Sequence, residues 1–441
     1  MTGLGTARCA EASAQSARPN ILLILADDLG YGDPGCYNSA SKIPTPHLDH
    51  LAAGGVRFTD AHTPSAVCTP TRYGLLTGRY CWRTELKRGV LDGFDPPLIE
   101  PWRPTLATFL KAQGYATACI GKWHLGLSWK HPDGTPVASR LSANINIHRA
   151  GEDADFARDL HGGPLDCGFD SWFGISASLD MSPCGFIENR RLIKIPTGTL
   201  PASKDLTHSV SAGVLAPGFT LEGVLQGFTR RAEAFIDSRA GQKAPFFLYL
   251  PLNSPHLPVV PSAEWRGKTG AGDYADSVAQ TDAAIGSWLA ALQRIGQEEN
   301  TLVIVTSDNG GLWHEWTPKE ADDLAAYRPT QRAKYNISHG HHSNATLRGT
   351  KADIWEGGHR VPFLVRWPPR VKPAVTDALV ELNDIFATLA DITGQPLPAA
   401  AAEDSFSFLS VLTGQPPGPR RTFSVHHSLH GLFALREGPW K

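Results

Sequence analysis

Short, nearly unbroken apolar runs recur along the chain, and between them lie stretches with apolar positions at helical spacing. The runs Asn20–Ala26, Ala116–Ile120, Phe246–Leu250, Leu302–Thr306 and Phe363–Arg366 predict strands buried on both faces. The helical patterns are His47–Ala53, Pro104–Gln113, Leu221–Ser238, Tyr274–Ile295 and Leu382–Thr393. Gly54, Gly114, Gly296 and Gly394 follow four of these helices and predict left-handed caps. Alternation of this kind predicts an α/β fold: a large, mostly parallel sheet with helices on both faces. Residues 128–165 and 186–220 read as long loops or insertions.

A smaller α+β subdomain is expected over residues 371–441, built on Leu382–Thr393 and the turn-rich Thr413–Pro419. Its last segment, Leu432–Lys441, reads as a strand, a Gly-Pro turn and the start of a further strand, so this subdomain is expected to be incomplete. The catalytic domain is expected over 19–370. Residues 1–18 lack a basic start and an apolar centre, and read as a disordered tail or the remnant of an export signal.

The chain has 441 residues, 41% hydrophobic and 19% charged, a composition that can bury a large core. A net charge of -2 gives no global attraction for nucleic acid or an anionic surface, so any anion site must be a local cluster. No apolar run is long enough to span a membrane. Seven cysteines occur without a Cys-x-x-Cys pair, which argues against a zinc ribbon or a thioredoxin-like motif. Cys36, Cys81, Cys119, Cys167 and Cys184 read as buried thiols.

Chemistry concentrates where strands end. Asp27 and Asp28 follow the first run, Lys122 and His124 the second, Asn253–His256 the third, and Asp308 with Asn309 the fourth. Functional crevices of open parallel sheets lie at the carboxyl ends of strands, so these clusters are expected to share one rim. Asp27, Asp28, Asp308 and Asn309 offer only hard oxygen ligands, which suits Ca2+ or Mg2+. Lys122 and His124 would point to one side if the chain stayed extended between them.

The segment Cys68-Thr-Pro-Thr-Arg72, followed by Leu-Leu-Thr77-Gly78-Arg79, resembles the modification signature of type I, formylglycine-dependent sulfatases. LADDLGYGD, GKWHLG, NSPH, TSDNG, the KADIWEGGHRVPFLVRWP block and the closing RxGxWK extend the likeness over most of the chain, in order. Within that family it is similar to arylsulfatase A-like and N-acetylgalactosamine-6-sulfatase-like members. Thr71 stands where serine is commoner, with the Cys, Pro and Arg core intact.

The resemblance implies an alkaline phosphatase-like fold and hydrolysis of a sulfate monoester, of a carbohydrate or an aryl alcohol. It implies that Cys68 is converted to formylglycine by a maturation enzyme, the hydrated aldehyde being the nucleophile. The metal, Ca2+ with Mg2+ as the alternative, would be held by Asp27, Asp28, Asp308, Asn309 and an oxygen at position 68. Lys122 and Lys351 would hold the sulfate, with Arg72 bracing nucleophile and metal ligands. His124 would be the base and His256 the acid near the leaving oxygen. Ser178 would correspond to a serine near the metal, and Arg79 could support the site from behind. A periplasmic or extracellular location is expected. Two rival readings are a phosphate or phosphonate ester hydrolase of the same superfamily, and a non-catalytic binder of sulfated glycans.

The segment Leu312–His342 reads as a substrate-facing insertion. Trp313 and Trp316 could stack on a sugar, and His339, His341, His342 and Arg348 could contact substrate oxygens or a second metal; a plain polar loop is the alternative. Asn336 and Asn344 match glycosylation acceptors. His426, His427 and His430 fall in the C-terminal part, at the cleft edge or on the surface.

Overall fold

A computed structural model describes residues 18–138, 141, 151, 153–205, 207–312, 340–415 and 420–441. The strands, in chain order, are β1 (Asn20–Asp27), β2 (Val56–Phe58), β3 (Ala61–His62), β4 (Ala116–Lys122), β5 (Ser171–Ile175), β6 (Ile187–Glu188), β7 (Arg191–Leu192), β8 (Gly198–Leu200), β9 (Gly213–Leu215), β10 (Phe246–Pro255), β11 (Thr301–Ser307), β12 (Phe363–Arg366), β13 (Ala374–Thr376), β14 (Val380–Glu381), β15 (Phe423–His427) and β16 (Phe433–Glu437). Among the described residues, ten of them form one sheet in the order β13-β2-β12-β11-β1-β10-β4-β5-β6-β7.

The central strands β11, β1, β10, β4 and β5 run parallel. All eight residues of β1 are buried, as its unbroken apolar pattern requires of a middle strand covered on both faces. Leu22 and Ile24 pack into one apolar cluster and Ile21, Leu23 and Leu25 into another, so alternate residues feed the two layers. The helices are α1 (Pro46–Gly54), α2 (Cys68–Thr77), α3 (Leu106–Lys111), α4 (Gly223–Ser238), α5 (Gly272–Arg294), α6 (Asp384–Thr393) and α7 (Leu409–Thr413).

Several expectations need correcting. The strand Phe363–Arg366 is antiparallel to both neighbours, β11 and β2, which sequence alone cannot tell from a parallel strand because both are equally buried. Gly54 is the last residue of α1 and not a left-handed cap; the cap is Gly55, with extended φ -142°. Gly394 caps α6 in the left-handed region, and Gly114 and Gly296 also take positive φ. Segment 186–220 is not wholly loop, since it holds β6 to β9. Asn344 is fully buried, which removes it as a glycosylation acceptor; Asn336 lies outside the described residues.

The last described segment forms the hairpin β15–β16. Gly121, with φ 144°, marks a close approach: a β-carbon there would lie 1.8 Å from the Pro251 carbonyl oxygen. The bare backbone lets β4 close on β10 immediately before Lys122.

Candidate active site

The predicted clusters end four strands that are neighbours in the sheet, β11-β1-β10-β4, so their side chains meet at one rim. At the end of β1 the register with β10 shifts between Leu25 and Asp27, and Asp28 adopts φ 68°. That turn aims two successive carboxylates at one place, where alternation along a strand would have sent them to opposite faces. Asp308 and Asn309 join them from β11: Asn309 Nδ2 donates to Asp28 Oδ1 at 2.7 Å, and the Asp28 amide to Asp308 Oδ1 at 3.3 Å.

Cys68 opens α2, which is buried along its whole length and ends at the left-handed cap Gly78. One turn on, Arg72 lies 0% exposed against the carboxylates. Its Nη2 and Nε donate to Asp308 Oδ2 at 2.7 and 3.1 Å, Nη1 to the Lys122 carbonyl at 2.9 Å, and Nη2 lies 3.5 Å from Asp27 Oδ2. Lys122 Nζ reaches Asp27 Oδ2 at 2.5 Å and Ser178 Oγ at 2.9 Å. Lys351 Nζ lies 2.6 Å from Asp28 Oδ1 and 3.8 Å from Cys68 Sγ. Eight of the predicted residues, Asp27, Asp28, Cys68, Arg72, Lys122, Asp308, Asn309 and Lys351, are therefore joined in one cluster of direct contacts.

Three carboxylates in one buried spot cannot all keep their charge without compensation. Burial acts against the charge of Asp27, yet Lys122, His256, Arg72 and Lys351 hold it well below the usual carboxylate range. Asp308 takes the strain: burial, then the Asp27 charge, push it up to about 7. Burial works against the charge of Lys351 also, but Asp28 and Cys68 raise it above an ordinary lysine.

His124 leaves the extended path at φ 55°, so the expectation that it shares a side with Lys122 through an extended chain does not hold. The turn points its ring at Leu91, whose carbonyl accepts from Nε2 at 2.8 Å. Nδ1 then carries the lone pair, buried and without a partner among the described residues. Burial, with Lys122 and Arg72, holds this imidazole well below its ordinary value and keeps it neutral.

His256 Nδ1 lies 2.5 Å from the Leu257 carbonyl oxygen and 3.1 Å from Ser178 Oγ, while Nε2 stands 3.8 Å from Asp28 Oδ2. Burial and Lys351 lower this histidine, but Asp28 and Asp27 outweigh them and the net shift is upward. A cleft opens beside it, lined by Leu221, Glu222, Asn253, Pro258 and Gln280. Ser178, three residues past β5, links Lys122 to His256, beside the carboxylates where the resemblance expected a serine near the metal.

A divalent cation fits this donor set. Asp27 Oδ1, Asp28 Oδ2 and Asn309 Oδ1 are buried oxygens with no hydrogen-bond partner among the described residues, which is costly unless a cation satisfies them. Oxygen donors alone suit Ca2+ or Mg2+. Asp27, Asp28 and Asp308 bring ligand atoms within 4.8 Å of one another, as do Asp27, Cys68 and His256.

Other candidates lie elsewhere. Arg79 turns away from Cys68 to Tyr73 Oη and Glu100 at 3.2 and 3.3 Å. His341 is buried against Asp33 at 2.7 Å, and Asn344 ties the backbone at Gly311, so neither faces substrate. Trp313, Trp316 and His339 lie outside the described residues. His427 is buried and donates Nε2–H to the Lys87 carbonyl oxygen at 2.8 Å. Among the described residues the cysteines are free thiols, and no helix is long and apolar enough to cross a membrane.

The sulfatase family model matches residues 19–395. The chain is 35% identical to an N-acetylgalactosamine-6-O-sulfatase of Bacteroides thetaiotaomicron, over 97% of this chain and 82% of that protein. It is 34% identical to human arylsulfatase A, over 96% of this chain and 74% of that one. A solved structure from work on the metabolism of multiple glycosaminoglycans by Bacteroides thetaiotaomicron superposes with a TM-score of 0.79 at 34% identity, covering 96% of this chain and 87% of that one.

Proposed function

Since the chain belongs to the sulfatase family, we propose that this sulfatase acts on a carbohydrate sulfate monoester, at the cluster around Cys68. The observation that carries the reading is the meeting of Cys68 with Lys351 beside buried carboxylates whose spare oxygens lack donors. The likeness to the N-acetylgalactosamine-6-O-sulfatase of Bacteroides thetaiotaomicron supports a sugar as the alcohol.

Asp27, Asp28, Asp308 and Asn309 would hold the cation, Ca2+ in this reading, with Mg2+ the alternative. The cation would supply positive charge for sulfate oxygens, and formylglycine at position 68, made by a separate maturation enzyme, would supply a hydrated aldehyde as nucleophile. Lys122 and Lys351 bind the sulfate's charge from two sides, already fixed by Asp27 and Asp28, so little reorganisation remains when substrate arrives. Arg72 keeps Asp308 and Asp27 in place through its fork of donors. His256 carries a proton more readily than an ordinary histidine and presents Nε2 towards the cluster, the arrangement of a general acid for the departing alcohol. His124, neutral with Nδ1 open, is the place where a proton can be taken up. Burial of Asp27, Asp28, Arg72, Lys122, His124, Asp308 and Asn309 excludes water around them and strengthens their interactions. An exported location, periplasmic or extracellular, belongs to the same reading.

Peptide mass spectrometry of the tryptic fragment spanning position 68, from an active preparation, tests the nucleophile. An aldehyde is expected there, and Cys68→Ala should be folded and inactive. Sulfate release from N-acetylgalactosamine 6-sulfate, compared with aryl sulfate and the matching phosphate esters, tests the substrate. Full activity in Cys68→Ala, or a higher kcat/KM for phosphate than for sulfate, would overturn the reading.

A further inference from the structure

Behind the loop that delivers Cys68 lies a second cluster with different chemistry. His62 ends β3, His359 closes the helical turn Glu356–His359 that follows Lys351, and His426 lies in β15. All three are 0% exposed, and their ligand nitrogens lie within 4.8 Å of one another. His62 Nδ1 and His359 Nδ1 are 3.0 Å apart, and the His359 and His426 rings stack with centroids 3.6 Å apart. Both ring nitrogens of His426 lack a hydrogen-bond partner among the described residues.

We propose that His62, His359 and His426 form a transition-metal site, taking Zn2+ in preference to Ca2+ or Mg2+, separate from the oxygen site. Three imidazoles with no oxygen ligand select zinc over the hard cations. Asp60 Oδ1 lies 2.9 Å from His62 Nε2 and fixes the proton there, which turns the Nδ1 lone pair towards His359. Arg436 anchors that carboxylate at 2.6 and 2.9 Å. His359 Nε2 lies 2.5 Å from Lys441 Nζ, whose ammonium donates to it, so the ring's own proton sits on Nδ1 and bridges to the His62 Nδ1 lone pair; ligation through Nδ1 requires Lys441 to hand a proton to Nε2. Burial, the largest influence on each ring, holds all three histidines below their ordinary value, in the neutral form a metal needs.

The distances suit the ion. Zinc–nitrogen bonds of about 2.0–2.1 Å in a tetrahedron place ligand nitrogens roughly 3.3 Å apart. The Nδ1 pair is already near that separation; as the ion binds, the bridging Nδ1 proton is released to solvent and Lys441 passes one of its protons to His359 Nε2, so that both Nδ1 lone pairs face the ion. His426 reaches the same point by rotating out of its stack, exchanging two unpartnered nitrogens for one bond. Around the site, the carboxylates Asp60 and Glu356 face Arg360, Arg436 and Lys441.

The ion would close a ring through three segments that already share backbone bonds: Thr63 donates to the His359 carbonyl, Ala66 to that of His427, and Ala352 to that of Ala66, each at 2.8 Å. It would thus lock the Cys68 loop to the Lys351 loop without touching substrate.

The test uses the full chain, stripped with chelator, exposed to Zn2+ with Ca2+ and passed through gel filtration before elemental analysis. About one zinc per chain is expected, with an X-ray absorption shell of nitrogens at roughly 2.0 Å. Asn309→Ala, which weakens the oxygen site, should keep that zinc; His62→Ala and His426→Ala should lose it. Zinc-free wild type, or His426→Ala retaining as much zinc as wild type, overturns the proposal. Should a histidine variant not fold, Co2+ in the wild type still decides: a visible band of a nitrogen-ligated tetrahedral ion supports the site, and its absence rejects it.

Discussion

Acidification should release the cation from the oxygen site, and the size of the effect follows from Asp308. This carboxyl is pushed up to about 7 by burial and by the charge of Asp27. A cation needs it ionised, so binding and protonation compete. Above pH 7 the proton is gone and affinity is flat; below it, each pH unit costs up to tenfold, about 1.4 kcal/mol. Between pH 8 and pH 5 the apparent Ca2+ affinity should fall by about 100-fold, or ~2.7 kcal/mol. Asp27, held well below the usual range, stays ionised throughout and adds nothing to the slope. Calorimetric titration of Ca2+ into the purified protein at several pH values measures this directly. Asp308→Asn should bind more weakly and with a much shallower slope. An affinity that changed less than about threefold over this range would refute the argument that crowded carboxylates make Asp308 the proton's seat.

Arg72→Met should destabilise the cation-free protein by about 3–5 kcal/mol in urea unfolding, because it strands Asp308 without its paired cation and leaves Asp27 to Lys122, and added Ca2+ should restore part of the loss. His124→Ala should lower kcat by about 10²–10⁴ with little change in KM, as loss of a proton acceptor that does not bind the ground state. Leu23→Ala, in the middle of β1 at 0% exposure, should cost about 2–5 kcal/mol of stability by leaving a cavity between the sheet and its helices, read as a lower denaturation midpoint at unchanged slope.

The strand pattern, the strand-end clusters and the Cys68 motif were legible from residues alone because each is local. An unbroken apolar run must be buried on both faces, and the polar residues that follow it must sit at an edge. Asp27, Asp28, Asp308, Asn309, Lys122 and His256 could therefore be named before any coordinates. Tertiary structure decided what depends on distant segments meeting. The antiparallel direction of β12 leaves no mark in its composition. The left-handed turn at His124 that aims its ring at Leu91, the bridging of Lys122 and His256 by Ser178, and the burial of His341 on Asp33 each need a partner far along the chain. The same holds for His62, His359 and His426, drawn from three separate segments, the first of them 297 residues from the second. Periodicity tells a residue which face it occupies; only the folded sheet tells it which other residue waits there.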